Sequence, residues 1–110
     1  MSVYEKWSSG VEARNAEAMI ACLHEDFVFV RHQSGTEMNK AQMSEMLRGF
    51  MASDQVEVRS QRCLYENTEV MVEHSVMDFA DGSTEAIIGF NQLKDGLIFR
   101  TETGATPVSS

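Results

Sequence analysis

The sequence has few of the residues that mark binding to nucleic acids or membranes. Its nine lysines and arginines never stand next to one another, and seventeen acidic residues give a net charge of −8. Nucleic acids and anionic membrane surfaces are bound by clustered basic residues. We therefore expect neither partner, and an apolar small molecule fits the composition better.

Several common catalytic and ligand-binding motifs are also absent. There is no glycine-rich phosphate loop, no Gly-x-Ser-x-Gly sequence and no His-x-His pair. These absences argue against phosphate binding, a serine nucleophile and a bound metal, and no cofactor is expected. The two cysteines, Cys22 and Cys63, do not form a Cys-x-x-Cys pair, which favours two reduced and mostly buried thiols.

Length and composition indicate one globular domain. With 110 residues, of which 43% are hydrophobic and 24% charged, the chain can bury a single core. We expect this domain to span residues 1–104 and the small, polar residues 105–110 to form a flexible tail. The first residues lack the pattern of a secretory signal and no apolar run reaches membrane-spanning length, so a cytoplasmic protein is expected.

Four consecutive strands are predicted between Asp54 and Thr103. Each run alternates polar with apolar residues and is rich in β-branched or aromatic side chains. The four runs are VEVRSQRCLYE, TEVMVEHSVMDF, STEAIIGFNQLK and LIFRTET. Turn-like residues separate them, including Asp81-Gly82 and Asp95-Gly96. Such a meander is a curved sheet with one face to cover, and the residues before Asp54 are the predicted cover.

The first two helices are predicted from their capping residues. Ser2 and Glu5 have the spacing of a capping box, while Gly10 is expected to weaken or end the first helix. Asn15 is the predicted N-cap of a second helix that runs from Ala16 to about His24.

A short strand and a third helix follow. Residues 27–32 predict the strand and residues 33–38 a loop. Asn39 and Gln42 have the spacing of a second capping box, and apolar residues at helical spacing follow them. The predicted order is therefore α-α-β-α-β-β-β-β.

This order, the size of the chain and the run LHEDFVFVRHQSG before a helix resemble the nuclear transport factor 2-like superfamily. Within it, the chain is most similar to the SnoaL-like and ketosteroid isomerase-like proteins. The matching features are Trp7, the Asn15-x-Glu17-x-Met19 helix start, the Leu23-x-Glu25-Asp26-Phe27 junction and Asp95-Gly96. The resemblance extends over about residues 2–104.

The resemblance implies an α+β, cystatin-like cone. In such a cone, three helices pack in a strongly curved, mostly antiparallel sheet that leaves a hydrophobic pocket at its open end. Family members commonly form homodimers through the outer face of the sheet, and we expect a homodimer here.

The polar groups of the ketosteroid isomerase mechanism are changed in this sequence. The proton-shuttling aspartate of the first strand matches Arg31, with His32 beside it. The tyrosine of the first helix matches Trp7, whose indole N–H can donate a hydrogen bond but cannot act as an acid. The aspartate of the fourth strand matches Gly89. Steroid isomerisation by the family route is therefore not expected.

The match of Gly82 to a turn of the family implies which residues of the preceding strand face the pocket. It turns Val72, His74, Val76 and Asp78 inward, and Met71, Glu73, Ser75, Met77 and Phe79 outward. His74 is then the predicted general acid or base, because histidine titrates near neutral pH; the alternative is a structural histidine. Asp78 is expected at the rim.

Only one of Arg31 and His32 can face inward, and the gapless match favours Arg31. An inward Arg31 could hold a carboxylate or enolate oxygen as a second catalytic residue, or pair with an acidic residue at the cone mouth. The predicted pocket lining is Trp7, Tyr4, Phe29, His32, Val72, Val76 and Asp78.

Two functions remain open from the sequence. One is proton-transfer chemistry of the isomerase, cyclase or dehydratase type on an apolar carbonyl compound. The other is a non-catalytic module of the same fold that binds a small molecule or forms a dimer.

Overall fold

The structure, a computed structural model that describes residues 1–109, contains three helices and one six-stranded sheet. The helices are α1 (Val3–Glu12), α2 (Ala16–Ile20) and α3 (Lys40–Ala52). The strands are β1 (Leu23–Arg31), β2 (Thr36–Asn39), β3 (Glu57–Glu66), β4 (Val70–Asp78), β5 (Thr84–Lys94) and β6 (Leu97–Pro107). Among residues 1–109, no helix is long and apolar enough to cross a membrane.

The strands lie in the order β2-β1-β6-β5-β4-β3. All neighbours pair antiparallel except β1 and β6, which are parallel. The helices pack on one face of this curved sheet, where the buried side chains of β1, β4, β5 and β6 meet α2 and α3. The predicted fold class, a cone of three helices and a curved, mostly antiparallel sheet, is confirmed.

The predicted helix caps are confirmed. Ser2 and Glu5 form a reciprocal capping box at α1, and Asn39 and Gln42 form another at α3. The side chain of Asn15 accepts a hydrogen bond from the Ala18 backbone and caps α2. These interactions are local, so spacing in the sequence is enough to predict them.

Four features of the elements differ from those predicted. Helix α2 ends at Ile20, and β1 begins at Leu23, four residues before the predicted strand. Residues 36–38, predicted as part of a loop, form β2 together with the helix cap Asn39 because they pair with β1. The predicted tail begins too early, since residues 105–107 pair with β5 as the end of β6. Its last residue, Ser110, lies outside the described residues.

Gly10 does not end the first helix, which continues to Glu12. A side chain at this position would place its Cβ 2.8 Å from the Met19 Cγ atom and 3.2 Å from the Met19 backbone nitrogen. Gly10 is buried at this contact. The glycine therefore permits α1 and α2 to approach closely, which matters more than its low helix propensity.

Arg14 joins the first helical hairpin to the end of α3. Its guanidinium donates hydrogen bonds to the backbone carbonyls of Phe50, Met51, Ser53 and Val56, at distances of 2.6–3.2 Å. The last carbonyls of a helix have no partner within the helix, and a cation there complements the helix dipole. Arg14 thus holds the C-terminus of α3 in place over the sheet.

Candidate functional site

A cavity of about 300 Å³ lies between the concave face of the sheet and the helices. Trp7 and Val11 of α1 border it, together with five residues of α3 that include Leu47 and Phe50. Six of the eight methionines also line it: Met19, Met38, Met43, Met46, Met51 and Met77. Methionine is flexible and polarisable, so this wall can adapt to ligands of different shape.

Strand β4 faces the cavity with the opposite side from the one predicted. Glu73, Ser75, Met77 and Phe79 line the cavity. Glu73 pairs across the sheet with Gly89 and Gly89 with Thr103, which also faces the cavity. Because successive side chains alternate along a strand, the whole predicted set on β4 is reversed.

His74 therefore lies on the outer face, and its predicted inward orientation is wrong. It borders the cavity as part of the strand wall, but its cross-strand neighbours are Arg62 and Ile88, both exposed. Val72 and Val76 share that outer face. Ile88 is 48% exposed, so the face is turned to solvent within the subunit.

Asp78, predicted at the rim of the pocket, forms its hydrogen bonds outside the cavity. Its carboxylate accepts hydrogen bonds from the Arg59 guanidinium, at 2.6 Å, and from the Thr84 hydroxyl. The hydrogen bond from Thr84 makes the largest contribution to lowering the pKa of Asp78, and the hydrogen bond from Arg59 the next largest. Asp78 is consequently a structural anion of the β3–β4–β5 edge, and it does not line the cavity.

Two of the predicted lining residues, Trp7 and Phe29, lie at the cavity, and so does Arg31, which was predicted as a catalytic residue. His32 points the other way and contacts the Glu102 carboxylate at 2.8 Å, so the choice of Arg31 as the inward residue agrees with the structure. Tyr4 packs against the core beside the cavity wall, and burial followed by the charge of Glu73 raises its pKa.

Arg31 forms an ion pair rather than standing free. Its Nη2 atom lies 3.2 Å from Oε1 of Glu85 and also donates to the Gln33 side chain. The Arg31 side chain is 42% exposed whereas that of Glu85 is 11% exposed, so the pair lies where the cavity meets solvent. Pairing with an acidic residue was one of the two alternatives left open by the sequence.

Glu73, predicted to face outward, is an ionisable residue of the cavity wall. Its carboxyl faces the cavity, and among residues 1–109 it has no hydrogen-bond or ion-pair partner. Burial alone raises its pKa from the ordinary 4.5 to about 7. Glu73 can therefore both accept and donate a proton near neutral pH, as general acid–base chemistry requires.

The cavity wall also carries hydrogen-bond donors around Glu73. Ser75 follows two residues along the same face of β4, and its cross-strand neighbour Gln61 donates from Nε2 to the Ser8 carbonyl at 3.3 Å. Within residues 1–109, neither the Ser75 hydroxyl nor the Trp7 indole N–H has a hydrogen-bond partner. Both can therefore donate to a bound molecule.

The side chain of Asn91, another polar residue in the cavity wall, forms hydrogen bonds within the sheet. Asn91, 2% exposed, donates from Nδ2 to the Met71 carbonyl at 3.0 Å and accepts from the Thr101 hydroxyl. This network ties β4, β5 and β6 together beneath the cavity. Because its polar atoms are paired, it has a structural role and little capacity to bind a ligand.

The two thiols differ in burial, contrary to the prediction that both are mostly buried. Cys22 is 5% exposed, whereas Cys63 on the edge strand β3 is exposed. Desolvation raises the pKa of each thiol, and the Glu66 charge adds to that effect at Cys63. Neither environment activates a thiolate.

Comparison with solved structures gives the same fold. A crystal structure of a candidate ketosteroid isomerase from Kribbella flavida superposes with a TM-score of 0.76 at 18% identity, covering 98% of this chain and 78% of the other. An NTF-2 like protein of unknown function from Burkholderia xenovorans gives 0.76 at 13% identity, covering 98% and 83%. An LEH-like epoxide hydrolase from M. tuberculosis gives 0.70 at 11% identity, covering 94% and 80%.

At these identities the similarity establishes the fold alone. No curated protein matches the sequence. The family model for the SnoaL-like domain, however, matches residues 4–101, which is most of the chain. With the element order and cone architecture described above, the chain belongs to the SnoaL-like domain family of the NTF2-like superfamily.

Proposed function

We propose that the protein catalyses proton transfer on a small, apolar carbonyl compound bound in the cavity. The observation that carries the proposal is Glu73, an unpaired carboxyl in a mostly apolar cavity whose pKa burial raises to about 7. A carboxyl in this condition is poised near its titration midpoint at neutral pH, where a general acid–base catalyst is most effective. The volume of about 300 Å³ sets the substrate size at the lower end of ligand pockets.

The chemistry needs no cofactor. Ionised Glu73 removes a proton from the carbon next to the carbonyl, and the electron pair of that C–H bond moves to the carbonyl oxygen. The Trp7 indole N–H and the Ser75 hydroxyl are the donors available to stabilise the resulting oxyanion. With a β,γ-unsaturated carbonyl compound the enolate is a dienolate. Protonated Glu73 then returns its proton to the γ carbon, so the product is the conjugated isomer and ionised Glu73 is regenerated.

Of the two roles that the sequence left open for Arg31, the proposal uses the ion pair and not the binding of a substrate oxygen. Because its guanidinium pairs with Glu85 at the edge of the cavity, it closes the polar rim instead of meeting the reacting carbonyl. His74, on the outer face, takes no part in this proposal.

The experiment has a binding step and a catalytic step. Trp7, the single tryptophan, lines the cavity, so saturable quenching of its fluorescence by planar ketones or enones reports binding. Ligands that bind are then tested for exchange of the proton next to the carbonyl with deuterated solvent. Glu73→Gln should abolish the exchange while binding persists, and His74→Gln should leave both intact. Exchange that survives in Glu73→Gln would refute the catalytic proposal.

A second candidate function is binding without catalysis. The flexible methionine wall favours it, since such a wall suits ligands of several shapes and does not by itself orient a substrate for reaction. Saturable binding to Trp7 without exchange for any bound carbonyl compound would identify this function. No quenching by any ligand of the panel would count against both candidates.

We also propose that the subunit forms a homodimer through the outer face of the sheet. Ile88 and Phe90 are 48% and 44% exposed, and Val72 and Val76 lie beside them on β4. An exposed apolar area of this kind on a sheet is typical of a protein interface, and homo-oligomers most often use one self-complementary surface. Sedimentation should give a dimer at micromolar concentration and a monomer for Ile88→Lys. A monomeric wild-type protein would refute this proposal.

A further inference from the structure

Gly89 lies in the centre of β5, directly across from Glu73, and it is buried. Glycine is unfavourable inside a strand because it loses more backbone freedom than other residues and offers no side chain for packing. The backbone does not require glycine here, since Gly89 does not adopt a positive φ angle, in contrast to Gly82 and Gly96. The reason for glycine must therefore be the space that a side chain would take.

That space is filled by the side chain of Glu73. A Cβ atom at position 89 would lie 3.3 Å from both Cγ and Oε1 of Glu73, and 3.7 Å from its Cδ. Apart from the two residues next to Gly89 in the chain, these three atoms are the nearest neighbours that such a methyl group would meet. The two shorter distances are tighter than ordinary packing, so the Glu73 carboxyl rests directly against the glycine.

We propose that Gly89 is a positioning residue for Glu73, and that it holds the carboxyl against β5 so that its oxygens face the cavity. The catalytic part of this inference rests on the proposed function, whereas the structural part does not. A larger residue at position 89 would push the carboxyl away from β5 by a few tenths of an ångström. The same residue would add apolar atoms on the side where the carboxyl now faces glycine.

A matched control is available in the next strand. Gly104 of β6 lies across from Ile88 on the outer face, and a Cβ there would meet the Ile88 Cγ2 atom at 3.7 Å, an ordinary contact. Gly104→Ala therefore adds the same methyl group to the same sheet without approaching Glu73.

The first measurement is an NMR titration of the glutamate side-chain carboxyl carbons, in which Glu73 is assigned by the signal that Glu73→Gln removes. Gly89→Ala should move the Glu73 midpoint upward from its wild-type value, because the added methyl further desolvates the ionised carboxylate. Gly104→Ala should leave the midpoint unchanged. An unchanged midpoint in Gly89→Ala would overturn the inference, whatever the protein catalyses, because this readout needs no substrate.

A double-mutant cycle covers the case in which Gly89→Ala folds poorly. In the wild-type background, Gly89→Ala should lower the urea midpoint of unfolding, because the methyl collides with Glu73. In the Glu73→Ala background, the same substitution should not lower it, because the colliding atoms are gone. Equal losses in the two backgrounds would refute the contact as the reason for the glycine.

If proton exchange is found, Gly89→Ala provides the catalytic test. Displacing the base by part of an ångström should lower kcat by about tenfold, with KM less affected, and should shift the pH–rate profile together with the NMR midpoint. In one outcome the NMR midpoint shifts while kcat and the pH–rate profile stay unchanged. This result would establish the contact between Gly89 and Glu73, but it would contradict Glu73 as the base and so refute the proposed function.

Discussion

Replacing Glu73 by glutamine should make the protein more stable at alkaline than at acidic pH, relative to wild type. In the folded state Glu73 is half-buried and has no hydrogen-bond or ion-pair partner among residues 1–109, so its charged form is unfavourable. In the unfolded chain the same carboxyl is solvated and ionises with its ordinary pKa of 4.5. Glutamine has nearly the same shape and no charge, so it removes this penalty.

The sign and the pH window follow from the raised pKa. Wild-type stability from this group is fully present below pH 4.5 and is lost as the pH rises through about 7, because only the folded state resists ionisation. The rise of the pKa from 4.5 to about 7 corresponds to about 3 kcal/mol of unfolding free energy, since one pKa unit is worth about 1.4 kcal/mol. The cost of burying the glutamine amide adds an offset that does not vary with pH.

Urea unfolding of both proteins, followed by Trp7 fluorescence between pH 5 and pH 8, measures this effect. The difference in unfolding free energy, variant minus wild type, should rise by about 2–3 kcal/mol across that range. The titrations of all other groups occur in both proteins and largely cancel in the difference. Glu25→Gln, which removes an exposed carboxylate from β1, is the control for the loss of one negative charge.

A difference that stays constant from pH 5 to pH 8 would refute the reasoning. Such a result would mean that Glu73 is solvated or paired in solution, and the observation behind the proposed function would be lost with it. A rise of similar size in Glu25→Gln would show that net charge, and not the burial of Glu73, produces the pH dependence.

Three further changes test other parts of the structure. Arg14→Ala should lower the unfolding free energy by about 1–2 kcal/mol, because four carbonyls at and just beyond the end of α3 lose the hydrogen bond from Arg14, and Arg14→Lys should not restore it. Thr101→Val should cost about 1–3 kcal/mol in the same urea assay, because the buried Asn91 amide oxygen loses its hydrogen bond. Ellman's reagent should label one thiol of the native chain, slowly, at Cys63, and reach Cys22 only on unfolding; two rapidly labelled thiols would contradict the burial of Cys22.

Local features of the fold were predictable because they depend on residues close in sequence. The capping residues Ser2, Asn15 and Asn39 each bind a backbone group three residues away, so their spacing is sufficient. Strand β2 and the end of β6 were missed for the opposite reason. Their residues have little strand character of their own, and the backbone partners in β1 and β5 make them strands.

The candidate site depended on which side of β4 faces inward, and the sequence of β4 is ambiguous on this point. One side carries Val72, His74 and Val76, the other Met71, Glu73 and Met77, so each has one ionisable residue between two apolar ones. A shift of one residue exchanges the two sides completely. The only signal in the sequence was Gly89, and it becomes informative only once β5 is known to pair with β4 in this register.

The same ambiguity has a physical cause on the outer face. On β5, Ile88 and Phe90 face outward while Ile87 lines the cavity and Leu93 packs against the core, so both sides of the strand carry large apolar residues. If a second subunit covers the outer side, as proposed above, both sides of these strands are buried, one within the subunit and one between subunits. The hydrophobic pattern alone then cannot select the inward side, and the match of Gly82 to a turn of the family selected the wrong one. The inward side of β4 carries Glu73, the residue on which the proposed function depends.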